Sequence, residues 1–204
     1  MHFEQHIFPG DEFTYITPTW LELQQLTFEI AREIRASGQK FDRVVTLARG
    51  GWPMTRCLVD FLEVPEVASI GVKFYAGIDR RLAQPQIYQD LPVSVIGERI
   101  LLFDDVADSG ISLEYTSEYL TKYKGVQALG TATQLVKPGS VITPDFSGAE
   151  TTSWIIFPYD AAEMITTLGE KWLSQQIPYI EIIARFEQLG FAPAWIEYYM
   201  RESA

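Results

Sequence analysis

One cysteine, Cys57, and two histidines, both within the first six residues, are the scarcest chemistry-bearing residues of this 204-residue chain. A lone cysteine excludes an intramolecular disulfide and a Cys-rich structural zinc site, and Cys57 reads as a small buried residue on a helix. His2 and His6 would have to fold back into a site before Ser-His-Asp or Cys-His catalysis could operate. Acid–base work therefore falls to carboxylates, lysine or tyrosine. Positive charge is scarce too: 16 Lys and Arg against 27 Asp and Glu leave a formal charge of −11, and the only paired basic residues are Arg80-Arg81. No basic face for a general nucleic-acid binder follows from such a chain. An anionic ligand must be held locally, by helix N-termini, a metal ion and a few cations. No run approaches the roughly 18 apolar residues of a membrane span, and Met1 to Asp11 contain no apolar h-region. The expected setting is cytoplasmic, with no membrane partner.

What is present is a globular alternation. With 47% hydrophobic residues the chain can bury one substantial core plus a subdomain. After an N-terminal arm, Thr19-x-x-Glu22 reads as a capping box opening a helix whose stripe is Leu23, Leu26, Ile30 and Ile34, with Gly38 as its stop. Val44 to Ala48 is a buried strand, and Arg49-Gly50-Gly51 turns into a helix that runs from Pro53 to Leu62. Val67 to Tyr75 reads as a strand. Ala76 to Pro92, with Gly77, Pro85 and Pro92, reads as a long mobile loop or irregular hairpin. Arg99 to Phe103 is a strand, Leu113 to Tyr123 a helix and Val126 to Val136 a strand. This is the pattern of a doubly wound, mainly parallel α/β sheet, which binds ligands at the carboxyl ends of its strands. Ser153 to Phe157 is a short strand, Asp160-x-x-Glu163 a second capping box, and Pro178 and Pro193 open two more helices. On the first of these, Ile180, Ile183, Phe186 and Leu189 are expected to share a face, with Gly190 as the stop. The aromatic last helix, with Trp195, Tyr198 and Tyr199, reads as core or subunit-interface packing.

The most informative stretch runs from Leu101 through Asp104, Asp105, Val106, Ala107, Asp108, Ser109, Gly110 and Ile111 to Ser112. An apolar strand ends in two adjacent carboxylates and turns through small residues into a helix. Tandem Asp can bind vicinal hydroxyls or a hydrated Mg²⁺, which takes oxygen ligands and keeps several waters. The Ser-Gly-Ile-Ser turn presents backbone N–H groups and hydroxyls at a helix N-terminus, where the macrodipole favours a phosphate. A helix cap accounts for one of these acids, not for three.

This run resembles the phosphoribosyl-pyrophosphate (PRPP) signature of the type I phosphoribosyltransferases, and within them the branch that salvages 6-oxopurines. Arg49-Gly50-Gly51 resembles that family's pyrophosphate loop and precedes the signature in the expected order. The resemblance implies that Asp104 and Asp105 hold the ribose hydroxyls and the Mg²⁺ shell, with Asp160 as a further acid. It implies that Val106, Ala107, Ser109, Gly110, Ile111 and Ser112 cradle the 5′-phosphate, and that Asp108 is the general acid–base beside N7 of the purine. Ile111 stands where many members carry Lys or Gly, so the loop depends on backbone donors. Lys137, before Pro138, matches the lysine that donates to the oxygen at C6, a donor that leaves adenine unmatched. Trp154-Ile155 matches the pair that covers the purine face and reads its far edge. Lys73, Tyr75 and Arg80-Arg81 flank or lie in a segment that the resemblance makes a lid.

The resemblance covers about Leu21 to Asp160. It implies a phosphoribosyltransferase domain with base-binding hood elements over residues 1–165 and a homodimer or higher homo-oligomer; residues 166–204, outside the resemblance, read from Pro178, Pro193 and their apolar content as a helical extension packed on the domain or at a subunit interface. The implied reaction is Mg²⁺-dependent transfer from PRPP to N9 of xanthine, hypoxanthine or guanine. A PRPP- or nucleotide-sensing regulator on the same fold, and a transferase with another acceptor, are the alternative readings.

Overall fold

A computed structural model of the chain describes residues 3–75 and 84–202. The expectations for Gly77, Arg80 and Arg81, and for the Tyr75 side chain, fall outside the described residues. In chain order the elements are β1 (Gln5–Ile7), β2 (Thr14–Ile16), α1 (Trp20–Ser37), β3 (Arg43–Ala48), α2 (Trp52–Leu62), β4 (Glu66–Tyr75), β5 (Gln84–Gln89) and β6 (Arg99–Ala107). There follow α3 (Ile111–Tyr123), β7 (Ala128–Val136), β8 (Phe146–Glu150), β9 (Trp154–Ile155), α4 (Ala161–Ser174), α5 (Tyr179–Gln188) and α6 (Pro193–Glu202). The chain divides into two compact units, Leu23–Thr152 and Met1–Glu22 with Ser153–Ala204. The sequence boundary at 165/166 lies inside α4.

The larger unit is built on a six-stranded sheet of order β5-β4-β3-β6-β7-β8, parallel except for the β4–β5 hairpin. β3 and β6 are central, and Val44, Val45, Ile100, Leu101 and Leu102 are fully buried, as expected of strands covered on both faces. α1 buries Leu23, Leu26, Ile30 and Ile34, the stripe read from its periodicity. Its capping box forms: Thr19 N–H and Oγ1 donate to Glu22, and Glu22 N–H donates back to Thr19 Oγ1. Arg43, at the start of β3, is held between Glu98 at 2.8 Å and Glu66 at 3.1 Å. These pairs fix the amino ends of the strands, away from the ends that carry the acids.

Three expectations change in this unit. β6 runs four residues beyond Phe103, because β7 continues beside it and pairs Asp104 with Thr133, Val106 with Leu135 and Ala107 with Val136. The tandem acids are therefore inside the strand, and only Asp108 follows it. α3 begins at Ile111, not Leu113, and Gly110 at φ 77° stands at its N-cap without a side-chain cap bond. β8, which sequence reading did not find, adds a parallel edge strand beside β7. Cys57 lies on α2, half-buried.

The smaller unit joins the chain's first and last segments. The residues read as an arm form β1 and β2, and β2 pairs in parallel with β9, Tyr15 opposite Trp154 and Ile16 opposite Ile155. Only Trp154 and Ile155 of the expected strand over 153–157 are extended into pairing. Phe8, Tyr15 and Ile156 share one core with Trp172 of α4, Phe186 of α5 and Met200 of α6. On α5 the buried face is Ile182, Phe186 and, just past its end, Leu189, while Ile180 is exposed, a shift of the expected stripe. Arg185 is buried on the same face, donates to the Pro9 carbonyl at 3.2 Å and lies over the Phe8 and Trp172 rings. Pro178 and Pro193 open α5 and α6 as expected, and Gly190 ends the turn after α5 at φ 85°. Asp160 precedes α4 but makes no side-chain cap bond, so the second capping box does not form.

Candidate active site

Four strands of the larger unit deliver polar residues at or just past their carboxyl ends. β3 leads into Arg49-Gly50-Gly51, β6 carries Asp104, Asp105 and then Asp108, β7 leads into Lys137, and β4 carries Lys73. The β3 turn and the β6 acids are in contact. A Cβ at Gly50 would fall inside the Asp105 carboxylate, and one at Gly51 would meet Thr46 Oγ1 and the Phe103 carbonyl. Glycine is thus required for the turn to lie flat against β6. Gly51 N–H bonds the Leu47 carbonyl and Trp52 N–H the Arg49 carbonyl, both at 3.1 Å, and the Ala48–Arg49 peptide is cis. Arg49 is exposed beside this turn.

Asp104 accepts the Asp105 backbone N–H at 2.9 Å. Burial, together with the neighbouring Asp105 charge, pushes the Asp104 carboxyl well above the ordinary carboxylate range. Two adjacent hard-oxygen donors that repel each other are a fitting partner for a divalent cation or a pair of hydroxyls. Among the described residues no three His, Cys, Asp or Glu side chains are grouped to hold a metal by themselves. The donor set therefore fits Mg²⁺ that brings substrate phosphate oxygens and water as its other ligands. Asp160, the third acid expected for the metal, lies in the smaller unit.

The turn from Asp108 to Ser112 is held from one side by the residues after β7. Lys137 N–H bonds the Ala107 carbonyl at 3.0 Å and Val141 N–H bonds the Ser109 carbonyl at 2.9 Å. Ser140 donates to the Ile142 carbonyl at 2.7 Å, and its hydroxyl occupies the space a Cβ at Gly110 would need. Gly110 is thus fixed twice, by its positive φ and by this contact. Ile111 opens α3 with its side chain exposed, so the start of the helix offers backbone donors and the Ser109 and Ser112 hydroxyls, not a charge.

Asp108 is exposed and Lys137 half-buried. Burial lowers the Lys137 pKa, and the negative charge of Asp108 opposes that shift. The two residues expected to read the purine thus act on each other electrostatically. On the other flank, the Lys73 ammonium lies 4.3 Å from the centroid of the Tyr88 ring, and a Cβ at Gly71 would collide with that ring. Tyr88 and Ser140 escaped sequence reading. A Pro-Gly-Ser turn was the sole local sign of Ser140, and Tyr88 has meaning only through pairing of β5 with β4.

In the smaller unit, Trp154 is 40% exposed, and Ile155 is half-buried beside it.

A model of the family described as the phosphoribosyl transferase domain matches residues 19–163. The chain belongs to that family. As a phosphoribosyltransferase-family chain it is 28% identical over 144 residues to the xanthine-guanine phosphoribosyltransferase of Idiomarina loihiensis, covering 70% of this chain and 84% of that protein. It is also 28% identical over 154 residues to the hypoxanthine-guanine phosphoribosyltransferase of Bacillus subtilis, covering 72% and 85%. Among solved structures it is similar to a purine phosphoribosyltransferase from Pyrococcus horikoshii, with a TM-score of 0.64, 29% identity, and 71% and 93% of the two chains covered. The fold is the mainly parallel α/β sheet of these transferases. No helix among the described residues is long and apolar enough to cross a membrane.

Proposed function

We propose that this transferase moves the 5-phosphoribosyl group of PRPP to N9 of a 6-oxopurine, giving a nucleoside monophosphate and pyrophosphate. The observation that carries the reading is geometric: the Gly50 turn lies against the Asp105 carboxylate, and the Asp108–Ser112 turn at the start of α3 is tied by backbone hydrogen bonds to Lys137 and Val141. It is supported by relatives named for xanthine, hypoxanthine and guanine. Arg49 and Gly50 take the pyrophosphate of PRPP, Asp104 and Asp105 its ribose hydroxyls. Val106, Ala107, Ser109, Gly110, Ile111 and Ser112 take the 5′-phosphate. As the C1–N9 bond forms and the bond from C1 to pyrophosphate breaks, Asp108 accepts the proton lost at N7. Lys137 donates to the oxygen at C6, and an amino group there would leave the ammonium opposite another donor. Trp154 and Ile155 are assigned to the purine's face and far edge by the family motif alone.

Asp104 and Asp105 would hold Mg²⁺, with Asp160 as a further carboxylate to be tested by its own alanine variant. Bound there, the metal would neutralise charge on the departing pyrophosphate. The residues around it supply position, fixed dipoles and exclusion of water from C1. The same reading makes the working protein a homodimer or higher homo-oligomer, which sedimentation in solution tests.

The deciding experiment is the initial rate of pyrophosphate release from PRPP and Mg²⁺ with hypoxanthine, guanine, xanthine, adenine and orotate. Turnover led by a 6-oxopurine is expected. Rates led by adenine or orotate would overturn the assignment, and PRPP binding without turnover on any base would favour a sensor.

A further inference from the structure

The N-terminal segment lies outside the residues that match the family, yet it touches the aromatic residue assigned to the purine. Phe13 and Trp154 have ring centroids 5.2 Å apart, tilted by 51°. Both rings keep a face in solvent, at 41% and 40% exposure. Phe13 is itself held from its other neighbours. The Lys171 ammonium lies 4.9 Å from the Phe13 ring centroid, and Lys171 is ion-paired to Asp11, whose side chain is fully buried. Asp11 also accepts from Tyr15 Oη at 2.6 Å and Trp172 Nε1 at 2.9 Å. Asp11 and Phe13 lie in the segment just before β2, whose Tyr15 pairs with Trp154.

We propose that Phe13 is a positioning residue for base binding, fixing the rotamer of Trp154 through an anchor formed by Lys171 and Asp11. β9 is two residues long, and the Trp154 indole on it is 40% exposed. Ordering such a side chain when the purine arrives costs affinity, and a ring packed against it beforehand removes that cost. The cation above Phe13 holds the supporting ring in turn. The inference rests on the stacking role proposed for Trp154, and gives the extra N-terminal strands a part in recognising the acceptor.

The test is a kinetic cycle on the full chain with Phe13→Ala, Trp154→Ala and the double variant, together with Phe13→Tyr, which keeps a ring. Phe13→Ala is expected to raise KM for the 6-oxopurine about three- to tenfold, the size of one side chain's ordering cost. kcat and KM for PRPP should be unchanged, and Phe13→Tyr should restore the base KM. In the Trp154→Ala background Phe13→Ala should add nothing. An additive effect in the double variant, or equal losses in kcat and both KM values, would overturn the positioning role. If Trp154→Ala raises KM for the base while Phe13→Ala leaves it unchanged, Phe13 has no such role and the stacking role stands. A Trp154→Ala enzyme with unchanged base KM would overturn both.

Discussion

The Asp105 carboxylate occupies the space beside the Gly50 Cα, so the turn after β3 and the acids of β6 form one surface. Gly50→Ala must displace the Asp105 carboxylate, because all the nearest atoms it meets belong to that side chain. KM for PRPP is expected to rise at least about tenfold while the unfolding temperature falls only modestly, since the displaced group is one half-buried carboxylate. Enzyme kinetics and thermal unfolding on the same preparation check this. An unchanged KM would separate the two elements functionally.

Asp108 and the tandem acids should fail differently. Asp108→Asn keeps shape and removes the proton acceptor, so kcat should fall by about 10²–10⁴ with KM for PRPP nearly constant. Asp104→Asn with Asp105→Asn should instead raise KM for PRPP and the Mg²⁺ concentration for half-activity, and excess chelator should abolish turnover. The same kinetic pattern in both variants would contradict the division of roles.

Lys137 gives a pH dependence with a definite sign. Burial lowers its pKa below the ordinary lysine value of about 10.4, so the ammonium is lost at a lower pH than in an exposed lysine. kcat/KM for the base should therefore fall as pH rises, before that ordinary value is reached. Lys137→Arg keeps a charged donor at all these pH values. Ionisation of the base itself is common to both proteins, so the difference between their pH profiles isolates Lys137. Superimposable profiles would exclude its part in binding the base.

Asp11 ties stability of the smaller unit to pH. Burial alone would raise its pKa, but hydrogen bonds from Lys171, Tyr15 and Trp172 and the Lys171 charge outweigh that and hold it below the usual value. A depressed carboxylate stabilises above its unfolded pKa of about 3.9, and that contribution fades as pH falls through the folded value. Burial and Asp11 raise the Tyr15 pKa, so Tyr15 stabilises below its unfolded pKa of about 10 and loses that contribution above it. Asp11→Asn is expected to cost about 2 kcal/mol at neutral pH and to flatten both limbs of the stability curve. Thermal unfolding of both proteins from acid to alkali measures this, and a constant offset across that range would contradict it.

The parts legible in the sequence were those whose signal is local. Arg49-Gly50-Gly51 and the run from Asp104 to Ser112 each carry their geometry in consecutive residues, and the stripe of α1 is a plain periodicity. The end of β6 was misplaced because polar residues there read as a turn, whereas pairing with β7 keeps them extended. β1 and β2 are three residues each, too short for alternation to register. β8 contains Ser147 and Gly148, which weaken a strand pattern, and Gly148 is needed because a Cβ there would meet the Gln134 carbonyl. The surroundings of Asp11 were illegible for another reason: its partner Lys171 is 160 residues away.

The composition of the smaller unit also orders events during synthesis. Leu23–Thr152 is one continuous stretch, and its sheet can close as soon as β8 has left the ribosome. β2 has no such option, because the strand that pairs with it is β9 and its core partners are α4, α5 and α6. Phe8 and Tyr15 must wait unburied until α4, α5 and α6 have been made. A ribosome stalled near Thr152 would therefore display the finished six-stranded sheet with β2 still unpaired, and the unit that carries Trp154 and Ile155 would be the last to form.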